Sequence, residues 1–293
     1  MITEIFKLFV FPGLISAIFI GFLYWGLIRK FTARMQNRIG PPIWQPFFDW
    51  VKLMSKEDIK TKYSNFICLV SPIISFSSTL TVTIFIPILG NSLISFFGDV
   101  LLVIYLLVIS TLMFALAGFA SGSGFGYVGG IREITQMFSY ELPFIISLLT
   151  IGFVNNFSIK PFFAISFPFA LLSFIFYIIA ELNLPPFHIP DSEQEIVSGS
   201  LTEYSGRKLA MFFLAKSVKL WVLLSIGAVY FLGAKNIIWF FINSFILLFI
   251  IILIRVIFAR LRLDHMFRFF WFVLTPLALI DLLRAVTGFW WSV

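Results

Sequence analysis

The chain has 293 residues, 60% hydrophobic and 12% charged, with a mean hydropathy of +1.02, which is too apolar for an ordinary soluble domain. Its 40 phenylalanines and 8 tryptophans exceed what one aqueous core of this size buries, so lipid is the solvent the sequence implies. The net charge of +7 comes from basic residues scattered between apolar runs, with no stripe beside stacking aromatics, which argues against a nucleic-acid partner.

A bilayer core takes about 20 apolar residues per helix. Eight such runs follow one another, at 8–28, 66–89, 100–120, 134–154, 162–182, 209–233, 237–258 and 267–290. They predict an all-α polytopic membrane protein, one integral domain over residues 1–293 with no room for a soluble unit. The first run reads as a retained span. Glu4 precedes it, and Arg29 and Lys30 follow where a secretory signal has a small-residue cleavage site.

After that span, Arg38-Ile39-Gly40-Pro41-Pro42-Ile43-Trp44-Gln45-Pro46 forms a proline-stiffened turn. Phe47, Trp50, Val51 and Met54 then recur at helical spacing opposite Asp49, Lys52 and Lys56, the pattern of a short amphipathic helix in the interface. Gly124-Phe125-Gly126-Tyr127-Val128-Gly129 matches a dinucleotide fingerprint in form only. It follows an apolar helix and has no acidic residue about 20 positions on, so close backbone packing or a flexible inward loop is the expected role. The 181–208 stretch is acidic, with Glu181, Asp191, Glu193, Glu195 and Glu203 around Pro185, Pro186 and Pro190. No internal repeat is evident, which weighs against an inverted-repeat transporter.

Loops 29–65, 121–133, 183–208 and 259–266 hold most of the basic residues, from Arg29, Lys30, Arg34 and Arg38 to Arg260 and Arg262. The opposite side has only Lys7, Lys160 and Lys235. By the positive-inside rule these loops face the cytoplasm and both termini face out. Cys68 is the single cysteine, and His188 and His265 are far apart, so any redox centre is expected on another chain.

Charges inside spans are the strongest chemical signal, since each costs roughly 2.5–3.5 kcal/mol at a helix centre unless paired or hydrated. Glu141 stands about 10 Å into its helix at 1.5 Å per residue, just before Pro143, which loosens the helix there. Glu181 closes the fifth span, Lys216 and Lys219 share a face of the sixth, Arg255 lies in the seventh, and Asp281 and Arg284 are deep in the eighth. Glu133, at the end of the 121–133 loop, is counted with them. Two carboxylates on different helices, Glu141 and Glu181, can pass a proton through water if neighbouring charges tune them. Ion pairs that only position helices are the alternative, above all for Asp281 with Arg284.

These motifs carry a resemblance: Asn37-Arg38-Ile39-Gly40-Pro41-Pro42 with Gln45-Pro46-Phe47, Asp49 and Lys52; Arg132-Glu133 with Ser139-Tyr140-Glu141-Leu142-Pro143; Ala180-Glu181-Leu182-Asn183 with Pro186-Phe187 and Glu193 to Tyr204; and Ala259-Arg260-Leu261-Arg262-Leu263-Asp264. Taken in order over nearly the whole chain, the sequence resembles the NuoH-like superfamily of respiratory complex I and of energy-converting hydrogenases. Only Pro42, Ile43 and Trp44 separate Pro41 from Gln45, whereas quinone-reducing members carry a second Gly-Pro element there. The short form looks like the hydrogenase branch, with formate hydrogenlyase, Ech-type complexes and sulfane sulfur reductases.

The resemblance implies a non-catalytic membrane subunit of an oxidoreductase complex in a prokaryotic cell membrane. It would couple electron transfer to H⁺ or Na⁺ translocation and hold no cofactor, with iron–sulfur clusters and a NiFe centre on partner subunits. The expected partners are hydrogenase large and small subunits or their complex I equivalents, antiporter-like membrane subunits, and lipid. Docking of the peripheral arm is expected at Arg38, Gly40, Pro41, Pro42, Trp44, Gln45, Pro46, Asp49 and Lys52 together with Asp191, Glu193, Glu195 and Glu203. The expected ion path is Glu133, Glu141, Glu181, Lys216, Lys219, Asp281 and Arg284. A quinone-site subunit of an NADH dehydrogenase, a secondary ion transporter acting alone and a passive membrane anchor are the rival readings.

Overall fold

The computed structural model describes residues 13–59, 65–88, 94–163 and 166–288, without the side chain of Glu193. The first residues of the predicted span 8–28, the ends of 66–89 and 267–290, two residues of 162–182, and Lys7, Lys60 and Lys62 lie outside the described residues.

Helices account for the whole architecture among the described residues, with one isolated bridge between Phe163 and Leu232. In chain order they are α1 (Leu14–Met35), α2 (Gln45–Met54), α3 (Phe66–Phe85), α4 (Asp99–Ala120), α5 (Gly124–Val154), α6 (Pro168–Glu181), the short α7 (Glu193–Ile196), α8 (Gly206–Ile226), α9 (Ile237–Ile257), α10 (Leu263–Phe269) and α11 (Thr275–Thr287). A π-helical turn, Gly227–Phe231, prolongs α8, and another, Phe270–Leu274, joins α10 to α11. Seven of the described helical stretches are long and apolar enough to cross a membrane. The chain is a helical polytopic membrane protein.

Helix α8 is the axis of the bundle: 78% of its apolar stretch is buried, against 33% for α1 and for α9. Trp221 on α8 packs edge-on to Phe240 of α9 at 5.4 Å, and on its other flank Tyr24 of α1 lies at 5.7 Å. Phe144 of α5 stacks on Tyr177 of α6 at 3.6 Å. Lipid is as apolar as these side chains, so association rests on close packing and interhelical hydrogen bonds more than on hydrophobic burial. Phe66, Tyr105, Trp239 and Phe272 accordingly remain exposed at the periphery.

The amphipathic helix expected after the proline turn is present as α2. Its Phe47 and Trp50 rings lie against Phe22 of α1. Two boundaries differ from expectation. Helix α1 runs on to Met35, through Arg29, Lys30 and Arg34, because these straight-chain residues are good helix formers and can extend their charges to the interface. Helix α5 begins at Gly124, so the segment expected as an inward loop is its first turns. Ser123 caps it by accepting from Gly126 N–H at 3.0 Å, and a Cβ on Gly129 would collide with the backbone of Gly199 and Ser200. Close backbone packing is thus what these glycines provide. Pro143, expected to loosen α5, sits in a helix that is assigned without a break.

The predicted span 162–182 is represented by α6, whose 14 residues rise about 21 Å, short of the roughly 30 Å hydrocarbon core. Pro168 explains the late start, since proline suits the first helical turn but bars the residue before it from helical geometry. At the other end the chain leaves the helix after Glu181 and continues through buried, non-helical Leu182, Asn183, Leu184, Phe187 and Ile189. Irregular backbone at this depth is tolerated only where protein buries it or where it lines a cavity. Both conditions hold here.

Candidate functional site

The broken end of α6 opens on a cavity of about 490 Å³, lined by Asn183, His188, Asp191, Lys216, Arg29 and Arg255 among others. Around it four helices, α4, α5, α6 and α8, bring charged and polar side chains together. Lys219 of α8 donates to Glu181 Oε1 at 2.6 Å and to Thr111 Oγ1 of α4 at 3.3 Å, and Thr111 donates to the same Glu181 oxygen at 2.5 Å. Thr111 is nine residues from the end of α4, about 14 Å by helical rise, and Lys219 is thirteen from the start of α8, about 20 Å. The pair therefore sits near mid-depth, not at the inner boundary where the sequence placed Glu181.

One step nearer the cavity, Asn183 Nδ2 donates to both Glu133 oxygens at 3.3 and 3.2 Å, while Gln136 Nε2 donates to Asn183 Oδ1 at 2.7 Å and to Ala180 O at 2.8 Å. The Gln136 amide thereby becomes a second donor to the Ala180 carbonyl, which already accepts Asn183 N–H at 3.1 Å at the end of α6. His188 Nδ1 donates to Asn183 O at 2.7 Å, which fixes the tautomer with the proton on Nδ1. Glu133 is almost fully buried, and the charges of Asp191, Lys216, Lys219 and Glu181 all act on it. At the cavity wall Lys216 binds Asp191 at 2.5 Å, and both lysines lie over the Phe114 ring.

The expected ion-path residues therefore divide. Glu133, Glu181, Lys216 and Lys219 converge on one side of the cavity. Glu141 is half-buried, makes no hydrogen bond or ion pair to another described residue, and faces the field of Glu181. Asp281 is fully buried at the opposite end of α6, where its Oδ2 accepts Phe169 N–H at 2.8 Å and Ala170 N–H at 3.0 Å, and its Oδ1 accepts from Arg284 at 2.9 Å. It is a cap supplied by α11 to the α6 N-terminus, about 17 Å by helical rise from Glu181, and no described bond links it to the cluster.

Of the expected docking residues, Arg38, Pro41, Pro42, Trp44 and Lys52 are exposed, Gly40, Gln45 and Asp49 half-buried, and Pro46 buried. Gln45 and Arg29 both hold Asp49, at 2.9 and 3.2 Å. Asp191 is turned into the cavity by Lys216. Glu203 is half-buried, and the Glu193 side chain lies outside the described residues. Glu195 bridges Arg132 of α5, at 2.5 Å, and Arg260 after α9, at 3.1 Å. The hydrogen bonds from Arg132 and then Arg260 hold its carboxyl below the usual glutamate value.

Thr111, Gln136 and Asn183 complete the cluster and were not singled out from sequence. Gln136 follows Glu133 at i+3 and so shares its helix face, and Asn183 lies two residues past Glu181. Thr111 left no signal, because a threonine in a span ordinarily bonds to its own helix, and Leu107 O, 3.1 Å from this Oγ1, is the alternative acceptor for its one hydroxyl proton.

The sequence and the fold have relatives. The family model described as NADH dehydrogenase matches residues 4–286. The H subunit of the NADH-quinone oxidoreductase of Bacillus cytotoxicus is 33% identical, over 94% of this chain and 92% of that protein. Its counterpart in Geobacillus kaustophilus is 31% identical over 98% and 96%. Among solved structures, a chain of the membrane-bound sulfane sulfur reductase, described as an archaeal respiratory membrane complex, superposes with a TM-score of 0.85 at 26% identity, covering 93% of this chain and 96% of that one. The chain belongs to the NADH dehydrogenase family, as a NuoH-like membrane component of the complex I type.

Proposed function

We propose that the chain couples electron transfer in a docked peripheral arm to H⁺ or Na⁺ movement, as the membrane subunit of a hydrogenase-type respiratory complex. The observation that carries this reading is the run of bonded, mostly titratable groups from the cavity wall to mid-depth: Asp191 and Lys216, Glu133 with Asn183, then Glu181 with Lys219. A buried ion pair is a weak source of stability, because desolvation offsets most of its attraction. Three bonded pairs beside a cavity, coupled through the field at Glu133, supply the sites of a proton relay once water joins them. A change of charge or contact at the cavity would shift Asp191 and Lys216 first and pass inward through Glu133, whose field includes both ends of the series.

The peripheral arm would dock on the exposed turn around Arg38, Pro41, Pro42 and Trp44 and on the acidic loop near Glu195, with these segments cytoplasmic by their basic charge. Labelling of a cysteine placed at exposed Ser55 from outside intact cells would reverse that orientation. Iron–sulfur and NiFe centres belong to the partners in this reading, and antiporter-like subunits would sit beside the bundle.

The short turn between Pro41 and Gln45 and the likeness to the sulfane sulfur reductase chain favour the hydrogenase branch. The second reading, a quinone-site subunit, is favoured by the cavity itself and by the NADH-quinone oxidoreductase relatives. A purified complex that oxidises NADH with quinone and contains no nickel would select it.

The coupling claim is tested by Glu181→Gln and Glu141→Gln in vesicles holding the assembled complex. The ratio of ion gradient to substrate turned over should collapse for Glu181→Gln and fall for Glu141→Gln, with electron transfer to artificial acceptors retained. A wild-type ratio in both variants would reduce these carboxylates to helix-positioning groups.

A further inference from the structure

Arg29, Arg132, Arg260 and Arg284 each have a carboxylate partner. Arg255 has neither a hydrogen bond nor an ion pair to any described residue, although it is half-buried in the last turn of α9. It lines the large cavity and also a second, more open one of about 350 Å³, and Arg29 of α1 lines both as well. The two guanidinium groups act on each other as like charges; Asp49, 3.2 Å from Arg29, offsets one of them, whereas Arg255 has no counter-charge among the described residues.

The second cavity is also lined by Arg38 and Thr32, and none of the described residues that line it is acidic. The Thr32 hydroxyl is buried without a partner among the described residues. Three cations and a spare hydroxyl around one space make a set of donors for a group with several anionic oxygens, and the planar fork of arginine fits phosphate. Arg255 stands two residues from the end of α9, at the level where a bilayer places its headgroups. Two and three residues further along the chain, Ile257 and Phe258 are exposed, 70% and 53%.

We propose that Arg29 and Arg255 form a binding site for a phosphate group, filled by a phospholipid headgroup whose acyl chains lie along Ile257 and Phe258. The bound anion neutralises the repulsion between Arg29 of α1 and Arg255 of α9, the two residues that line both cavities. This proposal does not depend on the coupling reading, because it concerns equilibrium binding by the chain without turnover.

The experiment uses the purified full chain in a neutral maltoside detergent. Native mass spectrometry follows binding of short-chain phosphatidylglycerol and of uncharged short-chain diacylglycerol, and calorimetry follows inorganic phosphate. Wild type should bind phosphatidylglycerol at least about tenfold more tightly than diacylglycerol, the scale of one charged hydrogen bond. Arg255→Gln and Arg29→Gln should each lose about tenfold, and Lys235→Gln, an exposed lysine at the other end of α9, should lose nothing. Inorganic phosphate bound as tightly as the lipid would keep the anion site and assign it to free phosphate. Equal binding of the charged and uncharged lipids by wild type would overturn the proposal, and that comparison stands even if the arginine variants fail to fold. Unchanged affinity in folded Arg255→Gln and Arg29→Gln would overturn it equally.

Discussion

Lys219 Nζ lies 2.6 Å from Glu181 Oε1, with the two side chains 3% and 1% exposed, so this ion pair is shut away from water between α6 and α8. Lys219→Met would leave the Glu181 carboxylate without its counter-charge, and breaking a buried pair from one side costs about 3–5 kcal/mol. The double variant Lys219→Met with Glu181→Gln removes both charges and should recover most of that loss. Thermal unfolding of the chain in detergent checks the order. A double variant as unstable as the single one would mean that volume, not charge, governs the site.

Asp281 organises the start of α6, and its contribution can be separated from any part in ion movement. Asp281→Ala removes the acceptor for two helix N-terminal amides and leaves Arg284 unpaired, a loss of about 1–3 kcal/mol. Asp281→Asn keeps an accepting oxygen and should cost less. Hydrogen exchange at Phe169 and Ala170 should accelerate in Asp281→Ala ahead of exchange in α8; unaltered exchange there would reject the capping role.

Two glycines at the start of α5, five residues apart, make opposite predictions. A Cβ at Gly129 meets the Gly199–Ser200 backbone, which cannot swing aside as a side chain does, whereas a Cβ at Gly124 meets nothing within 4 Å. Gly129→Ala should therefore destabilise by about 1–3 kcal/mol, in the range of overpacking. Gly124→Ala should be neutral or slightly stabilising, since alanine is the better helix former. Comparing the two melting curves decides the point.

The Arg132–Glu195–Arg260 bridge carries a pH dependence of known sign. The Glu195 carboxyl titrates lower in the folded chain than in the unfolded one. Its stabilisation is therefore complete above the unfolded glutamate value of about 4.3 and fades as pH falls through the lower folded value. The difference in stability between wild type and Glu195→Gln should be constant from neutral pH to about 5, and should shrink below that. It should also be small, because Glu195 is 46% exposed and screened by solvent. A difference that grows on acidification would contradict the bridge.

Lipid as the solvent, the order of most spans, the amphipathic α2 and the family were all legible in the amino-acid order, because hydrophobic length and short motifs are local properties read one segment at a time. The cost of a charge in lipid likewise singled out Glu181, Lys216 and Lys219. How those charges pair emerged only from the folded chain: Lys219 with Glu181, 38 positions away, and Lys216 with Asp191 from the loop expected to face a partner. Folding also turned Asp281 into a cap for α6 and placed Glu181 at mid-depth, at the end of a helix of only 14 residues. The reason is physical. Helices that are apolar on all sides say little about which face meets which neighbour, so the partners of a buried charge are set by crossing, tilt and helix ends, which no single span encodes.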